Sequence, residues 1–183
     1  MSVFFCSDLH FGHKGIDKFR PFVTSSDDNQ DQIIADWNAC ITKRDTVYVL
    51  GDAAFTTDAC DIFRTLPGEK FLVRGNHDKL DTTYYLKYFK QVYGILKYKE
   101  FWLSHAPIHP NELRGRVNLH GHVHYNTILE EGLGGLSDKR YFNCCVENLR
   151  EYGSSLMSLE MIRVLRKQPV PIDNTRNQDE ITG

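Results

Sequence analysis

The chain of 183 residues is long enough for one domain with a sizeable core and short for two domains. Hydrophobic residues make up 41% of it and charged residues 25%, which is the ordinary balance of a soluble globular protein. The formal net charge of -2 argues against a general nucleic-acid or membrane surface, because proteins that bind those polyanions usually carry a basic excess.

The first part of the chain is predicted to form a strand and then a long helix. The apolar residues 3–6 indicate a strand, and a short helical segment is expected near 16–19. Ser26 or Asp27 is the expected N-cap of the long helix that follows. Apolar side chains recur along this helix at helical spacing, at Ile33, Ile34, Trp37 and Ile41. We interpret this stripe as core packing and not as a cofactor site.

Two further strands and a helix are expected between residues 46 and 74. The uninterrupted apolar run 46–50 suits a strand that is buried on both faces. A helix over 58–66 ends at a Pro-Gly pair, and residues 69–74 form the third strand. Arg74, at the end of that strand, is expected to reach the surface, and a position against the site is the alternative.

The middle of the chain is polar and then strand-like. Residues 79–90 are rich in tyrosine, and roughly one helical face is shared by Tyr84, Tyr85, Tyr88 and Phe89. Two strands, 91–96 and 99–104, are expected to be joined by a tight turn near residues 97 and 98. The loop 106–116 holds two prolines and should border the pocket, because it joins two strands that end in polar side chains.

The C-terminal region is predicted to contain a hairpin, a strand and a helix. Residues 126–138 carry three glycines and form the hairpin tip, and the sequence leaves open whether this tip or the loop 106–116 closes over a ligand. A late strand is expected over 140–146. A helix is expected over 158–167, where apolar residues recur at helical spacing.

The same sequence bears on location and redox chemistry. It has no run of about 18 apolar residues, and its start lacks the layout of a signal peptide, so we expect a cytoplasmic protein. A single domain over 1–167 and a poorly ordered tail over 168–183 are expected. The five cysteines include no CxxC pair, so each is expected to be a small buried hydrophobe and not part of a disulfide framework or a thiolate zinc site.

Five of the strand-like runs are followed by side chains that bind metals. These clusters are Asp8 with His10, Gly51-Asp52, Gly75-Asn76-His77-Asp78, His105, and Gly121-His122-Val123-His124. One such cluster alone would be a common solvated turn. Because parallel strands of one sheet place their carboxyl ends at the same edge, five clusters after five strands should meet in space.

In this order the clusters resemble the five sequence blocks of the calcineurin-like metallophosphoesterase family. The blocks span residues 8–124, and all five are intact. The resemblance implies an α/β fold, a four-layer α-β-β-α sandwich of two mixed sheets flanked by helices. It also implies a phosphoesterase in which two divalent metal ions activate hydroxide for attack on phosphorus.

The resemblance further implies how the side chains divide between two metal ions. Asp8, His10 and His124 would bind one ion. Asn76, His105 and His122 would bind the other, and Asp52 would bridge the two. Nitrogen and oxygen ligands without thiolate suit Mn, Fe, Zn, Ni or Co. His122 and His124 are two residues apart, so they can reach different ions only if the loop turns there.

His77 is left without a metal and is expected to protonate the leaving oxygen or to stabilise the charge that develops on it. Asp78 could hold the His77 ring in its tautomer or serve as a helix N-cap, and the two roles can coexist. His120 is expected to be a packing residue. The candidate contacts to substrate phosphate are His13, His109, Arg114 and Arg116. For His13, a surface position at the entry of a helix is an equal alternative.

The substrate class is the least determined property. A chain this short has no room for a large cap domain, so we expect an open pocket. We favour a small phosphodiester as substrate, with nucleotides among the candidates. Phosphomonoesters and nucleotide anhydrides stay open, and a non-catalytic interaction scaffold is the rival from another class. A nuclease acting on long polymers is disfavoured by the charge, although a local basic patch would escape that argument. No membrane association is predicted, and the sequence leaves protein partners open.

Overall fold

The computed structural model describes residues 1–130 and 135–167. The predicted tail from residue 168 and part of the predicted hairpin tip therefore lie outside the described residues. Within the described ranges the strands are β1 Val3–Cys6, β2 Thr46–Val49, β3 Glu69–Val73, β4 Gln91–Tyr93, β5 Ile95–Tyr98, β6 Phe101–Ser104, β7 Val117–His120, β8 Tyr141–Asn143 and β9 Met157–Ser158.

The strands form two mixed sheets. The first has the order β4-β3-β2-β1-β9, in which β1 to β4 pair in parallel and β9 is antiparallel to β1. The second has the order β5-β6-β7-β8, with an antiparallel β5 on an otherwise parallel sheet. The ring of Tyr98 on β5 lies 5.1 Å from that of Tyr48 on β2, so the two sheets pack against each other through aromatic side chains.

Helices flank the sheets. They are α1 Ser26–Cys40, α2 Thr57–Asp61, α3 Thr82–Tyr85, α4 Pro110–Leu113, α5 Val146–Arg150 and α6 Leu159–Leu165, with 3-10 turns at Ile16–Lys18 and Ile62–Arg64. The predicted fold class, an α-β-β-α sandwich of two mixed sheets flanked by helices, is confirmed. None of the helices in the described part of the chain is long and apolar enough to cross a membrane.

The long helix α1 begins one residue earlier than a cap at Ser26 implies and two residues earlier than a cap at Asp27 implies. Ser25 is its N-cap, because the Ser25 side chain accepts a hydrogen bond from the backbone N–H of Asp28. The predicted apolar stripe is core packing: Ile33, Trp37 and Ile41 are buried, and Ile34 is half-buried against the core.

The predicted strand over 91–96 is wrong, because the chain changes sheets in the middle of it. Gly94 separates β4, at the edge of the first sheet, from β5, at the edge of the second. The turn between β5 and β6 consequently falls at Lys99 and Glu100, where Lys99 has a φ of 51°, and not near residues 97 and 98. The apolar pattern of a segment does not predict which of two sheets each half of the segment joins.

Several other elements are shorter than predicted. The expected helix over 58–66 is divided between α2 and a 3-10 turn, and the tyrosine-rich segment forms only the single turn α3. The late strand ends at Asn143, and Val146, which was predicted to be the last residue of that strand, begins α5. The short β9 was not predicted, since two residues carry no periodicity. Four cysteines are buried as expected, while Cys40 is half-buried.

Candidate metal centre

The predicted ligand clusters converge from both sheets. Three of them follow the carboxyl ends of β1, β2 and β3, and two follow β6 and β7 of the other sheet. His105, which follows β6, lies with its Nδ1 atom 2.9 Å from the carbonyl oxygen of Leu50 after β2. The clusters therefore meet at the junction of two sheets and not along the edge of one.

The backbone turns sharply at five predicted ligands. Among the described residues, positive φ outside glycine is found at seven positions, and five of these are Asp8, His10, Asp52, His122 and His124. Such conformations are costly for ordinary residues and concentrate at functional sites. Because His122 and His124 both have a positive φ, the loop does turn at the 122–124 segment. The ring of His122 lies 5.0 Å from His105, while the ring of His124 stacks 5.2 Å from His10.

Asp8, His10 and His124 form a close group, in which Asp8 and His10 are buried and His124 is half-buried. Asp8 Oδ1 lies 3.5 Å from His10 Nε2 and 3.8 Å from His124 Nε2. Asp8 Oδ1 and both ring nitrogens of His10 are buried and have no hydrogen-bond partner among the described residues. Buried polar atoms of a folded protein are almost always partnered, so this arrangement fits a cation between the three side chains.

The second oxygen of Asp8 is fixed by the protein. Asp8 Oδ2 accepts hydrogen bonds from the Ser7 hydroxyl at 2.6 Å, the Cys145 thiol at 3.1 Å and the backbone N–H of His122 at 2.9 Å. With Oδ2 occupied in this way, the carboxylate presents Oδ1 to the histidines.

Asp52 lies between the two predicted metal positions. Its Oδ2 atom is 3.4 Å from His105 Nε2 and 4.0 Å from His10 Nε2. Its Oδ1 atom accepts a hydrogen bond of 2.8 Å from the backbone N–H of His77. Because Oδ1 accepts this N–H, Oδ2 is the Asp52 oxygen that faces both His105 and His10. The expected bridging role of Asp52 stays a prediction.

The second predicted group is more open than the first. His105 Nε2 lies 2.8 Å from the amide oxygen of Asn76, and both Asn76 and His122 are exposed. Two sets of side chains bring possible ligand atoms within 4.8 Å of one another: Asp8, His10 and His124, and Asp8, Asp52 and His105. Asp8 thus belongs to both sets, although the sequence assigned it to one ion. The donor set fits divalent metals that accept imidazole and carboxylate.

The charges of this centre shift the pKa of its members. Burial lowers the pKa of His105, yet the hydrogen bond to Asp52 and the charge of Asp8 outweigh it and raise the pKa to about 9. Burial favours a neutral Asp8, but the imidazole of His10, 3.5 Å away, and those of His124 and His105 hold the Asp8 pKa far below its usual range. The carboxylates of this centre therefore stabilise a positive charge beside them, as the raised pKa of His105 shows.

Asp78 does not hold the His77 ring, and it does not cap a helix. Its carboxylate accepts hydrogen bonds from the backbone N–H groups of Asp52, Ala53 and Gly75, at 2.8, 2.9 and 2.8 Å. The cap of α3 is Asp81. Asp78 thus ties the loop after β3 to the loop after β2.

Arg74 is neither free at the surface nor directed at the ligands. It donates to the carbonyl oxygens of Asp78 and Leu80 and to the Thr82 hydroxyl. Arg74 therefore braces the chain that follows His77.

Glycine is required at position 75 because of Asp52. A Cβ atom on Gly75 would lie 2.2 Å from Asp52 Oδ1 and 2.6 Å from Asp52 N, closer than real contacts allow. Gly75→Ala is expected to lower the free energy of unfolding by about 1–3 kcal/mol, as overpacking does, and to weaken metal binding by displacing Asp52. Urea unfolding and metal titration measure both effects.

Gly94→Ala is the matched control for this substitution. No atom lies within 4 Å of a Cβ built on Gly94, so the control should keep both properties. Equal behaviour of the two variants would contradict the proposed crowding at Gly75.

A buried ion pair that the sequence analysis missed supports the first group. Arg20 is fully buried, and its Nε donates to Glu147 Oε1 at 2.7 Å, although the two residues are 127 positions apart. The guanidinium also donates to the Asn29 amide oxygen at 2.7 Å and to the carbonyl oxygen of Asp8. Glu147 Oε1 lies 3.0 Å from His124 Nδ1.

This pair orients His124. A carboxylate at Nδ1 fixes the ring so that Nε2 faces Asp8, which is the usual arrangement behind an imidazole that binds a metal. Burial opposes ionisation of Glu147, but the Arg20 charge and the His124 hydrogen bond bring its pKa below the ordinary value. No local pattern marks these residues, since Arg20 and Glu147 each resemble an ordinary surface charge in the sequence.

The predicted substrate contacts are only partly brought to the site. The His13 ring lies 6.0 Å from the His10 ring, beside the centre. His109 caps α4, and Arg114 is exposed and paired with Glu112. Arg116 donates to the carbonyl oxygen of Lys99 at the amino end of β7, whereas the ligands follow carboxyl ends. The prediction for Arg116 is therefore wrong.

A cleft of about 320 Å³ opens onto the centre. It is lined by Asp52, Asn76, His77, His122, Val123, His124 and Asn126. The loop 106–116 contributes none of these residues, so its expected position at the border of the pocket is not found in the described part of the chain. His120 is buried and its Nδ1 lies 2.9 Å from the carbonyl oxygen of Gly121, as a packing residue would.

Comparisons with known proteins give a consistent likeness. A family model described as calcineurin-like phosphoesterase matches residues 1–173. The uncharacterized protein MJ1445 of Methanocaldococcus jannaschii is 32% identical over 138 residues, which cover 70% of this chain and 72% of that protein. The gene 66 protein of Mycobacterium phage L5 is 27% identical over 166 residues, covering 70% and 80%. The crystal structure of AQ665 from Aquifex aeolicus, a protein of unknown function, has a TM-score of 0.67 at 28% identity, covering 90% of this chain and 98% of that one.

Proposed function

Because this chain belongs to the calcineurin-like phosphoesterase family, we propose that it is a metal-dependent phosphoesterase that hydrolyses small phosphodiesters, with nucleotides among its substrates. The observation that carries the proposal is the pair of overlapping Asp and His groups, which share Asp8 beside the cleft. Two divalent ions held there would neutralise the phosphoryl oxygens and lower the pKa of a water to about 7.

His77 is the proposed general acid. It lines the cleft, and its backbone N–H is held by Asp52, yet its ring is in neither group of possible ligands. Its ring lies 5.8 Å from that of His10, next to the centre. As the oxygen of water bonds to phosphorus, the bond from phosphorus to the leaving oxygen breaks, and His77 supplies the proton that this oxygen takes up.

His77→Ala tests both the class and the role. With bis-p-nitrophenyl phosphate as substrate, activity should require metal and return when Mn, Fe, Zn, Ni or Co is added to chelator-treated protein. For a diester with an alkyl leaving group, His77→Ala should lower kcat/KM by about 100-fold or more, which is the range for general acid catalysis. The loss should be smaller for the nitrophenyl ester, because nitrophenolate leaves without a proton.

His109→Ala is the matched control, since His109 is an exposed histidine that caps α4. If His77→Ala lowered kcat/KM equally for the alkyl diester and for the nitrophenyl diester, that result would count against proton donation by His77. A rate that survives complete removal of metal would overturn the proposed class. Cleavage of p-nitrophenyl phosphate alone would replace the diesterase by a phosphomonoesterase, and the metal that restores the rate identifies whether manganese is preferred.

A further inference from the structure

Three aromatic side chains form a row that leads away from the metal centre. We call Phe19, His13 and Phe55 the aromatic strip. The ring of His13 lies 4.8 Å from that of Phe55 and 6.0 Å from that of Phe19, and it is nearly perpendicular to both. The strip thus joins one end of the 3-10 turn Ile16–Lys18 to the loop after β2.

The strip is continuous with the centre. Phe55 stacks on the ring of His77 at 5.1 Å, and it lies 5.4 Å from the ring of His10. His77 is the proposed donor to the leaving oxygen. A substituent on that oxygen therefore starts beside Phe55, and the strip is the adjoining surface along which it can extend.

Core packing does not account for these side chains. None of the three belongs to the hydrophobic core or packs against it as a partly buried apolar residue. Phe19 is 48% exposed, and Phe55 and His13 are half-buried. Apolar rings that stay accessible next to a polar centre are typical of ligand pockets, in which a few polar groups orient the ligand and aromatic walls bind the rest of it.

We propose that the aromatic strip is a subsite for the nucleobase of a nucleotide substrate. The strip offers rings without a formal carboxylate or ammonium group among its members, so it fits a flat, uncharged ring better than a second phosphate. Bases stack on aromatic side chains whatever their sequence identity, because each base has a π-face. The inference rests on the proposed function, since it takes phosphate binding at the metal centre as given.

The test compares AMP with ribose 5-phosphate, which share the sugar and the phosphate and differ in the base. Binding of each to the full-length, metal-loaded protein is measured by titration calorimetry, and release of phosphate is followed to exclude turnover. AMP should bind about tenfold more tightly than ribose 5-phosphate, the ratio expected from stacking of one base. Phe19→Ser and Phe55→Leu should each reduce this ratio severalfold.

Tyr152→Ser is the matched control, because Tyr152 is an aromatic residue with the same exposed fraction of 48% on α5's C-terminal side. Thermal melting shows whether each variant is folded. Equal affinities of AMP and ribose 5-phosphate, or a ratio that survives in both Phe19→Ser and Phe55→Leu, would overturn the subsite alone. If neither AMP nor ribose 5-phosphate bound, the result would overturn the subsite together with the proposed function.

Discussion

Asp52→Asn is expected to lower kcat/KM for diester hydrolysis by at least about 10,000-fold, because metal catalysis supplies several kcal/mol and each 1.36 kcal/mol is a factor of ten. Asparagine keeps one oxygen, which can still accept the N–H of His77 at the place of Oδ1. Its NH2 group then stands where Oδ2 faces His105 and His10, and an NH2 group cannot bind a cation.

The folded state should survive this change, because the bond to His77 and the backbone contacts of the loop are retained. The measurements are steady-state kinetics, metal content by elemental analysis and the melting temperature. Asp58→Asn, at an exposed position of α2, is the matched control and should leave all three unchanged. An Asp52→Asn protein with full metal content and native kcat/KM would remove Asp52 from the centre.

Glu147→Ala is expected to lower the free energy of unfolding by about 3–5 kcal/mol, because it leaves the buried charge of Arg20 without its partner. The Arg20–Glu147 pair has side-chain exposures of 0% and 1%, so water cannot replace the lost carboxylate. Glu147→Gln is milder in shape but removes the charge behind His124. It should weaken metal binding by about 10–100-fold, as loss of such supporting groups does.

The chain offers a matched control in a second Glu–Arg pair. Glu100 accepts from Arg163 at 2.7 and 3.0 Å, but both side chains are more than 40% exposed. Glu100→Gln and Glu100→Ala should therefore cost less than about 1 kcal/mol and leave metal binding unchanged. Urea unfolding of the metal-free protein gives the free energy of unfolding, and metal titration of the same protein gives the metal affinity. A Glu147→Ala protein as stable as Glu100→Ala would contradict the role assigned to the buried pair.

The residues that follow the predicted strands were the part of the sequence that best predicted the candidate site. Short apolar runs followed by Asp, Asn and His at five places predicted that polar side chains converge at the edge of one sheet. The two mixed sheets were implied by the resemblance of these clusters to the family. The structure does bring Asp8, His10, Asp52, His105 and His124 together. This works because donor chemistry is a property of the residue type, and the end of a parallel strand has a predictable place in a sheet.

Contacts between residues that are far apart in the chain could not be predicted from the sequence in this way. The role of Asp78 depends on where the loop after β2 passes, and the sheet change at Gly94 depends on which neighbour each half of a segment finds. Arg116 looked like a phosphate ligand until the direction of β7 placed it at the far end of the sheet. In each case the local residues are compatible with more than one arrangement.

The sequence by itself determined the chemical types gathered at the centre, because these follow from residue identity and local pattern. It determined the family and the class of fold only through the resemblance of its five clusters to the blocks of that family. Only the tertiary structure decided which oxygen of Asp8 and Asp52 is free, that Arg20 and Glu147 stand behind His124, and that Phe55 links His77 to the aromatic strip. Those features are distances between atoms from separate elements, and packing of the two sheets sets them.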